Sequence, residues 1–124
     1  MATDRTASWL FSYGSLRQPK VQLAVFGRQV EGHPDTLPGY AASPITISDP
    51  QVIAISGASQ HRIVRFTGQA GDAVTGTVLR VTADELRKAD AYEVSEYRRV
   101  AVELSSGRRA YVYVASTGLA GTAA

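Results

Sequence analysis

The chain has no cysteine among its 124 residues. Disulfides, thiolate metal sites and a cysteine nucleophile are therefore excluded, and the composition fits a reducing compartment such as the cytoplasm. Its two histidines, His33 and His61, show no H-x-x-x-H spacing, so a dedicated zinc site would lack ligands and no metal is expected. Long apolar runs are also missing. Met1 to Ser8 offers neither a signal peptide nor a spanning segment, and the chain is expected to be soluble, cytoplasmic and free of membranes. Charge of one sign is scarce, because 13 Lys and Arg against 11 Asp and Glu leave a net +2. The arginines fall in scattered pairs, Arg98-Arg99 and Arg108-Arg109, without the patch that nucleic acid requires, so no nucleic-acid partner is expected. No dinucleotide or P-loop glycine fingerprint is present, and Gly14-Ser15 is too short to cradle a pyrophosphate. Nor does Tyr13-Gly14-Ser15-Leu16 match the G-x-S-x-G elbow of serine hydrolases.

What is present suffices for one core. At 44% hydrophobic content, a chain of this length reads as a single domain spanning 1–124, with residues 1–8 and 116–124 expected to be flexible. Trp9 to Tyr13 reads as a buried strand that breaks at Gly14. Pro19 is placed to open a helix whose apolar residues run from Val21 to Phe26 before Gly27 stops it. From Gln29 to Gly39, Gly, Pro and Asp deny both periods, while Ile45-Thr46-Ile47 and Ala54-Ile55 hint at short strands. Strands are also expected over His61 to Phe66 and over Val74 to Val81, separated by a turn at Gly68 to Asp72. Within the second, Gly76 permits close backbone approach.

Thr82-Ala83-Asp84-Glu85 is a capping box that starts a helix running to about Tyr92. Leu86, Ala89 and Glu93 then fall on one face. Val100 to Leu104 and Ala110 to Val114 alternate about a Gly-containing turn, Ser105 to Arg109, and form a β-hairpin. The count is about five to seven strands and two short helices, which predicts an α+β fold with a small, mixed, strongly curved β-sheet or barrel.

Two features could carry chemistry. Glu93, on the Leu86 side of its helix, would lose water, and desolvation raises a carboxylate's pKa above the roughly 4.3 of free Glu and makes it a proton acceptor. The alternative is that Glu93 closes the last turn and pairs with Arg98 or Arg99. Glu96 competes for the same role but sits beyond the helix. The Tyr13 loop could aim the amides around Gly14 and Ser15 at an anion, or it could be a plain strand-ending turn.

The order and separation of five segments resemble the gamma-glutamylcyclotransferase-like family, which includes the YtfP-like and AIG2-like proteins. Leu10 to Leu16 is similar to its opening strand and Y-G-[ST]-L loop, and Leu37-Pro38-Gly39-Tyr40 to the start of its next strand. Val74 to Val78 resembles its V-x-G-x-V strand. Glu85-Leu86 through Asp90-Ala91-Tyr92-Glu93 resembles the segment that carries the family's catalytic acid, and Glu96-Tyr97-Arg98-Arg99-Val100 the stretch before its last hairpin. Two departures stand out: Ala89 replaces the usual Leu, and Gln60-His61-Arg62-Ile63 replaces the usual Y-P-A-[IL].

The resemblance implies that Glu93 is the catalytic acid and base, that Tyr13, Gly14, Ser15 and Leu16 hold the glutamyl end of a substrate, and that Tyr97 lies near the pocket. The reaction it implies closes a γ-glutamyl amine or peptide to 5-oxoproline and releases the amine. No cofactor is needed, the partner is a small γ-glutamyl molecule, and a homodimer is compatible with the sequence. Two other classes remain open: a catalytically silent module that binds a small anion on the same fold, and an interaction protein using the Ser105 to Arg109 hairpin edge.

Overall fold

A computed structural model describes residues 8–116. The flexible ends expected at 1–8 and 116–124 lie almost wholly outside the described residues. In chain order the elements are β1 (Ser8–Ser12), a 3-10 turn (Ser15–Arg17), α1 (Pro19–Phe26), β2 (Gly32–Pro38), β3 (Tyr40–Thr46), α2 (Pro50–Ser56), β4 (Gln60–Phe66), β5 (Ala73–Val81), α3 (Ala83–Tyr92), β6 (Tyr97–Glu103) and β7 (Arg109–Ala115). The fold is α+β. Five strands form one mixed sheet in the order β2-β5-β1-β7-β6, while β3 and β4 form a separate antiparallel pair. Only β1 and β7 run parallel; the other neighbours are antiparallel.

The alternation along the central strands sorts side chains onto two faces. Leu10, Leu79, Val81 and Tyr113 join Val21, Phe26, Leu86 and Ala89 in one core under the helices. Phe11, Val78, Val112 and Val114 join Val64 and Leu37 in a second core. Leu10, Val21, Val64, Val78 and Val112 are fully inaccessible to solvent, so β1, β5 and β7 are apolar on both faces, as central strands covered on both sides must be.

The local signals at two helices hold. Gly27 adopts a left-handed conformation, φ 80°, and its amide closes α1 on the Leu23 carbonyl, a conformation that costs glycine little. Thr82 and Glu85 form both halves of the capping box of α3, and Glu85 also receives a two-pronged bond from Arg28 at 2.6 and 2.9 Å.

Three expectations are corrected. There are three α-helices among the described residues rather than two, because Ala54-Ile55 lies inside α2; Asp49 caps its first amides and Pro50 occupies its first position. The Gln29 to Gly39 stretch is not irregular throughout, since Gly32–Pro38 pairs with β5 along its whole length. Pro34 and Pro38 are tolerated because β2 is an edge strand, where a missing N–H need not break a ladder. Finally, Ile45-Thr46 is not the start of a short strand but the end of β3, which begins at Tyr40, where the resemblance placed a strand entry.

Gly76 has the role its position suggested. A Cβ there would lie 2.4 Å from the Ser12 carbonyl oxygen and 2.8 Å from the Phe11 ring. Only glycine lets β5 approach β1 where β1 leaves the sheet, and the candidate site lies at that point.

Candidate active site

β1 ends at Ser12, and Tyr13-Gly14-Ser15-Leu16 turns away from the sheet into the 3-10 turn. This loop is braced from several directions. The buried Tyr13 hydroxyl donates to the Tyr113 carbonyl at 2.6 Å, and Ser15 Oγ lies 2.7 Å from the Tyr92 hydroxyl on α3. The side-chain amide of buried Gln22 donates to the Leu16 carbonyl at 2.9 Å and accepts from the Val30 amide at 3.0 Å. A loop so held has little freedom to shift. Arg17 N–H bonds the Gly14 carbonyl and Gly14 N–H the Ser12 hydroxyl. The amides of Ser15 and Leu16 have no partner among the described residues, as expected at the opening of a 3-10 turn.

The loop borders a cleft of about 780 Å³, lined by Tyr13 to Pro19 on one side and by Glu93, Tyr97 and Tyr113 on another. Ser56, Ala58, Gln60, His61 and Arg62, from the end of α2 into β4, contribute a third group. Phe11 and Thr77 also line the cleft.

Glu93 is the first residue past α3. Its φ of −72° and ψ of 138° are extended, while its amide still bonds the Ala89 carbonyl. The single-face expectation is corrected here: Leu86 and Ala89 enter the helix-side core, whereas Glu93, released from helical geometry, lines the cleft. Neither Arg98 nor Arg99 pairs with it. Arg99 instead grips Asp90 at 2.8 and 3.0 Å, and Tyr113 donates to the same carboxylate at 2.6 Å. Glu93 therefore has no cationic partner among the described residues. Burial, reinforced by the nearby Asp90 charge, pushes its carboxyl up to about 8. Asp90 is shifted the other way, chiefly by the Arg99 hydrogen bonds, which hold it below the ordinary carboxylate range. Two neighbouring acids are thus driven apart, the pattern that marks an acid/base assignment. Glu96 is exposed.

Each expected site residue can now be placed. Tyr13, Gly14, Ser15, Leu16, Glu93 and Tyr97 all border one cleft. Tyr97 does so while its hydroxyl donates to the Arg62 carbonyl at 2.7 Å, so it fastens β4 to β6. Burial and the Glu93 charge raise the hydroxyl pKa of Tyr97, and burial chiefly does the same for Tyr13; both stay neutral donors near neutral pH.

Sequence reasoning missed Tyr113, Gln22 and Asp90; it weighs Arg62, with His61, either as shaping the leaving-group side of a pocket or as a hydrogen-bonded surface pair and assigns neither to the site, whereas both line the cleft. Tyr113 and Gln22 read as ordinary strand and helix residues, and only long-range packing reveals their bonds. Arg62 had one signal, its place in the segment that departs from the family pattern. No group of three or more His, Asp or Glu residues that could hold a metal is present among the described residues. None of their helices is long and apolar enough to cross a membrane.

The profile of the family described as gamma-glutamyl cyclotransferase, AIG2-like, matches residues 10–122. The chain belongs to that family. Solved structures agree on the fold. At5g39720.1 from Arabidopsis thaliana is 25% identical, with a TM-score of 0.68 over 90% of this chain and 70% of that one. At3g28950.1 from the same plant is 23% identical, with a TM-score of 0.65 over 93% of this chain and 66% of that one. A structure named gamma-glutamyl cyclotransferase is 16% identical, with a TM-score of 0.66 over 89% of this chain and 67% of that one. This AIG2-like chain thus spans about two thirds of the length of these neighbours. No curated protein matches the sequence.

Proposed function

We propose that the protein is a cyclotransferase that converts a γ-glutamyl amine or peptide to 5-oxoproline, with Glu93 as general base and then general acid. The observation that carries this reading is a carboxylate without a cationic partner, pushed up to about 8, in the same cleft as the open amides of Ser15 and Leu16.

The chemistry follows from that pair. A γ-glutamyl substrate carries an α-ammonium whose proton must leave before its nitrogen can attack. A peptide α-amino group titrates near 8, and the free α-carboxylate of a γ-glutamyl compound makes its amine somewhat more basic, so transfer to a carboxyl near 8 costs far less than transfer to an ordinary carboxylate, which would be uphill by at least about 5 kcal/mol. The freed nitrogen attacks the side-chain carbonyl carbon of the same molecule, forming the new C–N bond of a five-membered ring. Because attack is intramolecular, a cleft that holds the chain folded supplies much of the entropic advantage. The carbonyl oxygen takes up negative charge, which the Ser15 and Leu16 amides are suited to stabilise by about 3 kcal/mol per well-aimed donor. Collapse of the oxyanion breaks the original amide C–N bond as protonated Glu93 gives its proton to the departing nitrogen, and the Glu93 carboxylate then takes the second proton from the ring nitrogen and passes it to the freed amine, leaving a neutral lactam. Atoms and charge balance with no cofactor.

The test is 5-oxoproline release from a panel of γ-glutamyl amino acids and γ-glutamyl-amines by wild-type protein and Glu93→Gln. Turnover by the wild type, lost by at least about a hundredfold in the variant, is expected for a general base. Ligand binding without turnover in the wild type would leave a binding module instead.

A further inference from the structure

The cleft carries more positive charge than the proposed chemistry uses. Arg17 donates from Nε to the Gly14 carbonyl at 3.2 Å, and Arg62 donates from Nη2 to the Tyr13 carbonyl. Two guanidiniums are therefore anchored to consecutive carbonyls of one loop, one from the 3-10 turn and one from β4, and both line the same cleft. Each side chain spends one recorded donor on the loop and keeps further N–H groups free of protein partners among the described residues, out of the five a guanidinium offers. Neither meets an acid: the five ion pairs among the described residues involve Arg28, His33, Arg87, Arg99 and Arg108. They sense each other, since burial and then the Arg62 charge lower the Arg17 pKa. Two like charges held together without a counterion are unfavourable until an anion joins them, and a planar fork suits a carboxylate. Both residues are exposed, whereas Glu93 and Ser15 are half-buried and Leu16 is buried, so the two arginines stand on the solvent side of the cleft.

We propose that Arg17 and Arg62 are specificity residues that seat a carboxylate on the departing amine. This assignment rests on the cyclotransferase reading of Glu93, under which the glutamyl head occupies the inner cleft and the leaving group points to the rim. The segment that holds Arg62, Gln60 to Ile63, is one of the two that depart from the pattern the chain otherwise resembles, so the preference belongs to this chain's own residues.

The experiment compares γ-glutamyl-alanine with γ-glutamyl-alaninamide, which differ only in that carboxylate. Initial rates of 5-oxoproline release give kcat/KM, and calorimetric titration of Glu93→Gln with both compounds gives affinity. Wild-type protein is expected to favour the acid by about tenfold, the scale of a charge pair at a partly exposed rim. That ratio should fall toward one in Arg17→Gln/Arg62→Gln. Because these arginines also brace the loop, a second measurement needs no variant: raising salt from about 20 to 500 mM should lower kcat/KM for the acid and spare the amide. Equal rates for the two compounds in wild-type protein, with equal affinities in Glu93→Gln, would overturn the proposal. So would an equal loss on both in the double variant, which would place the anion at the glutamyl head. If neither compound is turned over, the cyclotransferase reading fails separately, and the affinity ratio alone decides whether the arginine pair reads the carboxylate.

Discussion

The burial of Glu93 has a consequence for stability that does not depend on any substrate. A carboxyl whose pKa is about 8 in the folded chain and near 4.5 when unfolded favours the folded state while it is protonated. The folded protein then binds more protons than the unfolded one between those two values, so stability falls as pH rises from about 4.5 through 8. At pH 7 the unfolded carboxyl is ionised and the folded one is not; at 1.36 kcal/mol per unit, the two and a half units between 4.5 and 7 set an upper limit of about 3 kcal/mol. Water in the open cleft screens part of this, and about 1–2 kcal/mol is expected to remain.

Gln carries no charge to desolvate. Glu93→Gln should therefore match wild type at pH 4 and exceed it by about 1–2 kcal/mol at pH 7, or roughly 3–8 °C in Tm for a domain of this size. Denaturant unfolding of both proteins at unit steps from pH 4 to 8 measures the difference directly. Parallel stability curves across that range would show that Glu93 ionises normally in the folded protein, and the argument for a poised base would fall with them.

Other expectations follow from neighbouring contacts. If Glu93 is the base, kcat/KM for a γ-glutamyl substrate should rise toward pH 8, and Asp90→Asn should move that rise to lower pH, because it removes the negative charge that holds the Glu93 proton and leaves Arg99 without its acid. A pH–rate profile of the variant checks both sign and assignment. Gly76→Ala places a methyl 2.4 Å from the Ser12 oxygen, so it should destabilise the protein by about 2 kcal/mol or more and lower activity by displacing the loop; thermal melts and rates report the two effects. Glu85→Gln breaks the Arg28 pair and weakens the cap of α3, at a cost of about 1–2 kcal/mol above pH 5. The Glu85 pKa is lowered chiefly by the Arg28 bond, so this contribution is present at neutral pH and is lost as pH falls below about 4.5, which urea titrations at pH 3 and 7 would reveal.

Local chemistry made some elements legible and concealed others. The Thr82 to Glu85 box and the Gly27 stop could be read because each signal and its structural partner lie within four residues. The β6–β7 hairpin was legible because one turn joins two alternating runs. β2 was not, since its two prolines read as breakers until its place at the sheet edge is known. α2 was hidden because Ala54-Ile55 fits either period, although Asp49-Pro50 was a start signal in plain view.

The sequence by itself determined the absence of cysteine chemistry, the α+β character and the order of segments that ties the chain to its family. It also left a carboxylate at Glu93 with two open futures, a partner of Arg98 or Arg99 or a solitary acid. Only the tertiary structure chose between them. Arg99 is taken by Asp90, itself bonded by Tyr113 from β7, and the backbone leaves helical geometry at residue 93. Neither fact is a property of a neighbouring residue in the chain. A pKa responds to every charge and every water within a few ångströms, and folding decides which residues those are.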